Sequence, residues 1–400
     1  LLPERKQFGR FQAVTHPDVP VRKLFVYLLS LVMRPLLRRT ATGPPRRVLL
    51  IKPDHLGDVL LATPAIFDLR RRFPDAEIIA LVGPWSRVML RDNPDVDVVL
   101  DLPFPGFERR PRTRRLAELL LPYLLLLRYA ILLRPLRCDA ALILRDDHWW
   151  GAALALLAGI PQRIGYDLPL CRPLLSQALP IQPGSHVGQQ ALDLVAALAV
   201  APPPGEPPAL QFTPTAGDQA WATGWLANHL APGDQLIVLH PGTGGPGKHW
   251  LPARWAAVAD ELAQPGRRVL LTGGPAEAEL LQEVAGAMQT TPLILAGELS
   301  IGRLAALLSR AALVMGVDSG PLHIAVSQGA PSLHLFGPSD PARFGPWVSP
   351  ERHVVLRAGT WCSPCGVFAA CPRGTDPPEC MAQIEVAAVL RAARSLLATP

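Results

Sequence analysis

Apolar runs of strand length alternate with helix-like segments twice along this chain, and that alternation restricts the fold more than any other feature. In the first half the runs are Val48–Ile51, Glu77–Val82, Val96–Leu100, Ala140–Leu144 and Arg163–Gly165. The second half repeats the plan with Gln235–His240, Arg268–Thr272, Leu293–Ala296, Ala312–Val317 and Ser332–Phe336. Such runs with helices between them are the sequence form of βαβ units in a parallel sheet. Between the two blocks lies Ala201-Pro-Pro-Pro-Gly-Glu-Pro-Pro208, a stiff, extended linker by composition. At 400 residues, 49 % hydrophobic and 18 % charged, the chain has the material for two cores. The sequence therefore predicts an α/β protein of two doubly wound, Rossmann-like domains with parallel sheets facing across a cleft. The predicted segments are a basic, partly apolar extension over 1–45, a first domain over 46–200, a linker over 201–216, a second domain over 217–381 and a final helix over 382–400 that packs back toward the first domain.

Arginine gives the chain most of its net charge of +6 and is concentrated before residue 175, as in Arg109-Arg-Pro-Arg-Thr-Arg-Arg115. A basic half suits nucleic acid, anionic lipid or a phosphorylated acceptor, or is plain solvated surface. No finger-type Cys/His spacing or aromatic-rich basic strand accompanies it, so nucleic acid is not an expected partner. Two apolar stretches raise the question of a membrane. Leu24–Met33, flanked by Arg22, Lys23, Arg34 and Arg38, is about half the roughly 20 residues a span requires and fits an interfacial helix. No small-residue cleavage signature follows it, which argues against a signal peptide. Leu116–Leu133 is interrupted by Glu118, Pro122 and Arg128, and is expected to be a buried core helix.

Four segments carry candidate chemistry. Lys52-Pro-Asp-His-Leu-Gly-Asp-Val-Leu-Leu-Ala-Thr-Pro64 places Asp58 where the strand Val48–Ile51 gives way to a helix expected over Val59–Arg72, a position where ligand sites of open α/β sheets gather. Asp58 either caps that helix or does chemistry. The loop His240-Pro-Gly-Thr-Gly-Gly-Pro-Gly-Lys-His249 contains Gly242-x-Gly244-x-x-Gly247, but the next strand ends at Thr272 rather than at the acid a dinucleotide fingerprint needs. It also approaches a P-loop, except that His249 stands in place of the hydroxyl that would hold Mg²⁺. What remains is a set of exposed amides, including that of Gly244, with the Thr243 hydroxyl and the Lys248 ammonium, able to hold a phosphate or a sugar hydroxyl unless the loop merely turns the chain. Thr272-Gly273-Gly274-Pro-Ala-Glu277 is a second strand-to-helix turn, with Glu277 placed to accept from ribose hydroxyls or to complement the helix dipole. Gly316-Val-Asp318-Ser319-Gly320-Pro-Leu-His323 follows a strand and starts a helix, where Ser319 can cap and the free amides suit a diphosphate. His323 would donate to a phosphate oxygen and Asp318 would receive a sugar hydroxyl; the alternative is a capped turn with a satisfied core histidine.

Cys362, Cys365, Cys371 and Cys380 lie within 19 positions. Four thiolates this close suit a tetrahedral structural zinc or iron; two disulfides or free thiols are the alternatives. Lone Cys138 and Cys171 read as small buried residues.

Taken in order, Gly57-Asp58 with the run to Thr63-Pro64, the His240–Trp250 loop, Thr272–Glu277, and Asp318-Ser319-Gly320 with His323 make the chain resemble glycosyltransferase family 9, the ADP-heptose:lipopolysaccharide heptosyltransferases, over about residues 46 to 390. The resemblance implies a GT-B fold with an acceptor-binding first domain and a nucleotide-sugar-binding second domain. It further implies metal-independent, inverting transfer from an ADP-sugar to a lipopolysaccharide-core or other glycolipid, by a cytoplasmic protein peripheral to the inner membrane. Asp58 would be the general base, and Lys248, His323 and the helix-start amides would stabilise the departing diphosphate. The Cys-bearing segment is expected away from the chemistry. Rival readings are a GT-B enzyme using another nucleotide sugar, including an epimerase-like one, a membrane-associated scaffold without activity, and an ATP-hydrolysing P-loop protein.

Overall fold

The computed structural model describes residues 19–33, 43–107, 116–198, 207–347 and 350–398. Residues 1–18, Arg34, Arg38, the Arg109–Arg115 run and residues 201–206 of the proline-rich linker therefore lie outside the described residues.

The first six strands are β1 (Arg47–Lys52), β2 (Glu77–Val82), β3 (Val98–Asp101), β4 (Ala140–Ile143), β5 (Gln162–Tyr166) and β6 (Gln177–Leu179). They form one sheet in the order β3-β2-β1-β4-β5-β6, with every pairing parallel. The second six are β7 (Gln235–His240), β8 (Arg267–Gly273), β9 (Leu293–Ala296), β10 (Leu313–Val317), β11 (Ser332–Phe336) and β12 (His353–Arg357). Their order, β12-β11-β10-β7-β8-β9, is the same doubly wound topology again, and it too is parallel throughout. The ten strands read from the sequence are all present. The two it missed, β6 and β12, are edge strands, paired on one side only, and β6 is three residues long with an exposed glutamine, so neither requires an unbroken apolar run.

Side chains alternate across each sheet. Leu49 and Ile51 enter an apolar layer on one face of the first sheet, while Val48 and Leu50 enter a layer on its other face. That second layer continues into the second half through Leu236, Val238, Leu322 and Ile324, so one apolar layer spans both halves. Ile237 and Leu239 face a third layer behind the second sheet.

The helices that matter below are α1 (Val19–Val32), α2 (Leu56–Leu60), α3 (Thr63–Arg72), α4 (Leu116–Leu133), α5 (Trp149–Leu157), α6 (Gly320–Ser327) and α7 (Val386–Ala398). The single helix expected over Val59–Arg72 is instead α2 followed by α3. Pro64 cannot continue an N–H ladder, and Thr63 Oγ1 donates to Leu60 O at 2.7 Å, which ends α2 and opens α3. The expectation that the last helix returns to the first domain is corrected: the buried face of α7, Val389, Ala393 and Leu396, belongs to the layer containing Trp255 and Val258 behind the second sheet. Its apolar stripe finds that partner immediately. The buried-helix expectation for Leu116–Leu133 holds on one face only, since Leu126, Ala130 and Leu133 are buried while Leu124 and Ile131 are exposed. Among the described residues, no helix is long and apolar enough to cross a membrane.

Candidate active site

In doubly wound sheets a crevice opens where the strand order reverses, beyond the carboxyl ends of the strands. Here the reversal falls between β1 and β4 in one half and between β7 and β10 in the other. The residues following those four strands are Pro53–Asp58, Leu144–His148, Pro241–Lys248 and Asp318–His323, and three of these segments carry motifs singled out from the sequence.

Asp58 is the third residue of α2, whose N-cap is His55, so the capping reading does not hold. Among the described residues, no hydrogen bond engages its carboxylate, which is half-buried. Burial, and then the charge of Asp54, push Asp58 up to about 6, against the pull of Lys52 and Arg145. Asp54 is the contrasting acid. Burial alone would raise it, but Lys52 Nζ, 3.0 Å from its Oδ2, and the Arg145 guanidinium hold it well below the usual carboxylate range. Two carboxylates four residues apart are thus driven apart: Asp54 stays charged inside an ion pair, while Asp58 can take up and release a proton near neutrality. Lys52 is anchored further by donating to Leu144 O at 3.2 Å.

The second half supplies the facing wall. Lys248 Nζ donates to Asp318 O at 2.7 Å and pairs with Asp318 Oδ2 at 3.2 Å, and the Thr243 hydroxyl donates to Asp318 O at 3.3 Å. Ser319 is the N-cap residue of α6 in extended backbone, yet its hydroxyl is buried and bonds to nothing. His323 is 5 % exposed, and burial pushes it down to about 4, so it is neutral; its Nδ1 has no partner and its Nε2 lies 3.8 Å from Asp318 Oδ1. Buried polar atoms ordinarily have partners, so an orphan hydroxyl and an orphan imidazole nitrogen beside a helix N-terminus mark a place for a ligand with oxygen atoms. The two walls touch. A Cβ built on Gly57 would lie 2.9 Å from His323 Cδ2, and α2 packs on α6.

The other predicted donor-site residues lie nearby in sequence but form a second group. Glu277 Oε2 accepts the Gly274 N–H at 2.7 Å and lies 3.7 Å from His240 Nε2, and its carboxylate rests against Gly242. A side chain at Gly273 would meet Leu281 and Glu277, which explains a glycine there. Gly244 stands exposed at the loop tip.

Cys362, Cys365, Cys371 and Cys380, the expected metal ligands, all fall among the described residues. Among the described residues, no three metal-ligating side chains converge, and all six cysteines are free thiols. Cys380 turns into the apolar layer behind the second sheet, where burial first and then the other three thiols push it up to about 11; Cys365 is exposed. Cys138 and Cys171 are buried, as expected. The same segment, expected away from the chemistry, lies against the loop that carries Lys248. Phe368, between Cys365 and Cys371, accepts the Gly247 N–H on its carbonyl at 2.8 Å and sets its ring 5.1 Å from Lys248 Nζ.

Sequence reasoning missed Asp54, Arg145, Phe368 and His148, the last 5 % exposed with neither ring nitrogen hydrogen-bonded. The signal for three of them was present: Asp54 lies in the same segment as Asp58, and Arg145-Asp-Asp-His148 is a polar cluster directly after an apolar strand. Arg343 from the second half reaches Asp146 in that cluster at 3.0 Å, tying the two walls together.

Residues 130–370 match the family described as Glycosyltransferase family 9 (heptosyltransferase). The chain is 29 % identical over 300 residues to lipopolysaccharide heptosyltransferase 3 of Escherichia coli, covering 73 % of this chain and 83 % of that protein. Its fold is similar to that of a glycosyl transferase family 9 protein from Veillonella parvula, with a TM-score of 0.74 at 24 % identity over 90 % of this chain and 99 % of the other. It is also similar to the E. coli ADP-heptose lipopolysaccharide heptosyltransferase II, with a TM-score of 0.68 at 23 % identity over 88 % and 98 %. The architecture is of the GT-B type.

Proposed function

The chain belongs to glycosyltransferase family 9, the heptosyltransferases, and is a glycosyltransferase; from that premise we propose that it transfers a heptose from ADP-heptose to a hydroxyl of a lipopolysaccharide-core glycolipid, with inversion and with Asp58 as general base. What carries this is the position of Asp58, an unengaged carboxylate with its proton affinity near neutrality, beside the contact of Gly57 with α6 and across from Lys248, Ser319 and His323.

In this reading the acceptor hydroxyl lies against Asp58, which takes its proton as the oxygen attacks the anomeric carbon. The C–O bond to the diphosphate breaks on the opposite face, and the charge left on ADP is met by the Lys248 ammonium, the Ser319 hydroxyl, the free amides of α6 and His323. Lys248 is held by Asp318 beforehand, so it is presented in place rather than recruited. The proteins this chain resembles support the choice of donor and acceptor: one is named for lipopolysaccharide, the other for ADP-heptose. In this reading the nucleotide-sugar donor and a lipid-linked acceptor meet at the cytoplasmic face of the inner membrane.

The test is ADP release from ADP-heptose in the presence of a heptose-acceptor core glycolipid, alongside UDP- and GDP-sugars. Wild type is expected to release ADP only with ADP-heptose, and Asp58→Asn to keep donor protection against melting while turnover falls about 10²–10⁴-fold. Turnover of another nucleotide sugar in place of ADP-heptose would overturn the donor, and wild-type turnover by Asp58→Asn would overturn the base.

A further inference from the structure

Eleven of the fourteen exposed large hydrophobic side chains among the described residues lie on just two helices, α1 and α4. Both helices bury one face in the same layer of the first sheet, α1 through Val26 and α4 through Leu126, Ala130 and Leu133. Each also carries a second apolar stripe on its outward side. On α1 it is Leu24, Tyr27, Leu28 and Leu31, at the i, i+3, i+4, i+7 spacing of one helix face; on α4 it is Leu120, Leu124, Leu127 and Ile131. The helices meet through Phe25 and Tyr123, whose rings are edge-to-face at 4.7 Å. An apolar face of this extent is uncommon on a protein that stays in water.

We propose that this two-helix face docks on the surface of an anionic phospholipid bilayer. Charge favours a bilayer over a second copy of the chain. Arg22 and Lys23 lie on α1, Arg128 stands exposed on α4, and Arg134 and Arg137 follow it, whereas residues 19–33 contain no acid and residues 116–137 contain only Glu118. This rim matches anionic headgroups and would repel its own copy. Tyr27, 60 % exposed within the stripe, has the amphipathic ring that suits the interface. Arg128 and the internal Pro122 keep the 18-residue α4 lying on the surface rather than through it.

The face is coupled to the cleft. Trp150 Nε1 donates to Pro122 O at 2.9 Å, the Tyr123 ring is 6.3 Å from that of Trp149, and both tryptophans follow Arg145–His148 directly. Docking therefore sets the acceptor side of the cleft close to the lipid. Binding itself does not depend on the transfer reading; only its purpose does.

The full chain should sediment with vesicles of phosphatidylcholine mixed with phosphatidylglycerol and far less with phosphatidylcholine alone. Leu28→Glu with Leu124→Glu should lower the bound fraction by about 10-fold or more, since two exposed leucines leave the lipid, with the melting temperature unchanged. Lys23→Glu with Arg128→Glu should lower it on mixed vesicles by about 10-fold or more, at about fivefold for each lost cation. The proposal is overturned if wild type sediments with neither vesicle, or if the leucine variant sediments as wild type does. It is equally overturned if light scattering finds a lipid-free dimer that the leucine variant dissolves while vesicles go unbound, which would make a second copy the occupant. Asp58→Asn should bind vesicles as wild type does, so loss of transfer and loss of docking are read separately.

Discussion

Gly57 in the first half and Gly320 in the second approach backbone to backbone, such that a Cβ on Gly57 would lie 3.3 Å from Gly320 Cα and one on Gly320 would lie 3.4 Å from Gly57 N. The proposed base follows Gly57 directly, and the proposed diphosphate site begins at Gly320. The close approach is therefore what brings the two half-sites within reach of one substrate pair.

Gly57→Ala should disturb that approach, because the new methyl group meets the buried His323 ring at 2.9 Å. Overpacking of this kind costs about 1–3 kcal/mol. Steady-state turnover is expected to fall while melting shifts modestly, and a variant with wild-type kcat would show that the contact is not needed.

The acid limb of the pH–rate profile should fall near pH 6, where Asp58 loses its proton. Asp54→Asn removes the neighbouring charge that raises Asp58 and leaves Lys52 and Arg145 to lower it, so the limb should move to lower pH. A limb that stays in place in this variant would separate the rate dependence from Asp58.

Stability should move the other way. Asp58 ionises near 4 in the unfolded chain and at about 6 in the folded one, so the folded state binds more protons between those values and loses stability as pH rises through them. Asp58→Asn removes this penalty. Thermal melting should find the variant more stable than wild type above pH 6 and equal to it below pH 4.

Lys248→Ala should weaken ADP binding by about 10–100-fold, the scale of a charge-assisted contact worth about 1.5–3 kcal/mol. Isothermal titration with ADP would check it, and unchanged affinity would remove Lys248 from the donor site. Phe368→Ala should raise the donor KM a few-fold with little change in kcat, since the ring packs beside Lys248 Nζ while the backbone carbonyl that holds Gly247 remains.

The amino-acid pattern alone was enough for the parallel α/β plan in two blocks, ten of the twelve strands among the described residues, and the segments holding Asp58, Lys248 and Asp318–His323, because strand period, helix starts and glycine-rich turns are local properties of the chain. It failed where a residue's role depends on a partner far along the chain. Asp54 reads as an ordinary acid until Arg145, 91 positions away, pairs with it, and Phe368 reads as part of a cysteine-rich loop until its carbonyl meets Gly247. The strand order was decided only by tertiary structure; it puts the reversal points at the ends of β1 and β4 in one half and of β7 and β10 in the other, and the contact of Gly57 with Gly320 joins the two. Tertiary structure also divided the two acids, since burial and the distances to Lys52, Arg145 and Asp318 set which carboxylate stays charged and which exchanges a proton near neutrality. Those are long-range electrostatic and packing terms, and no local pattern in the chain encodes them.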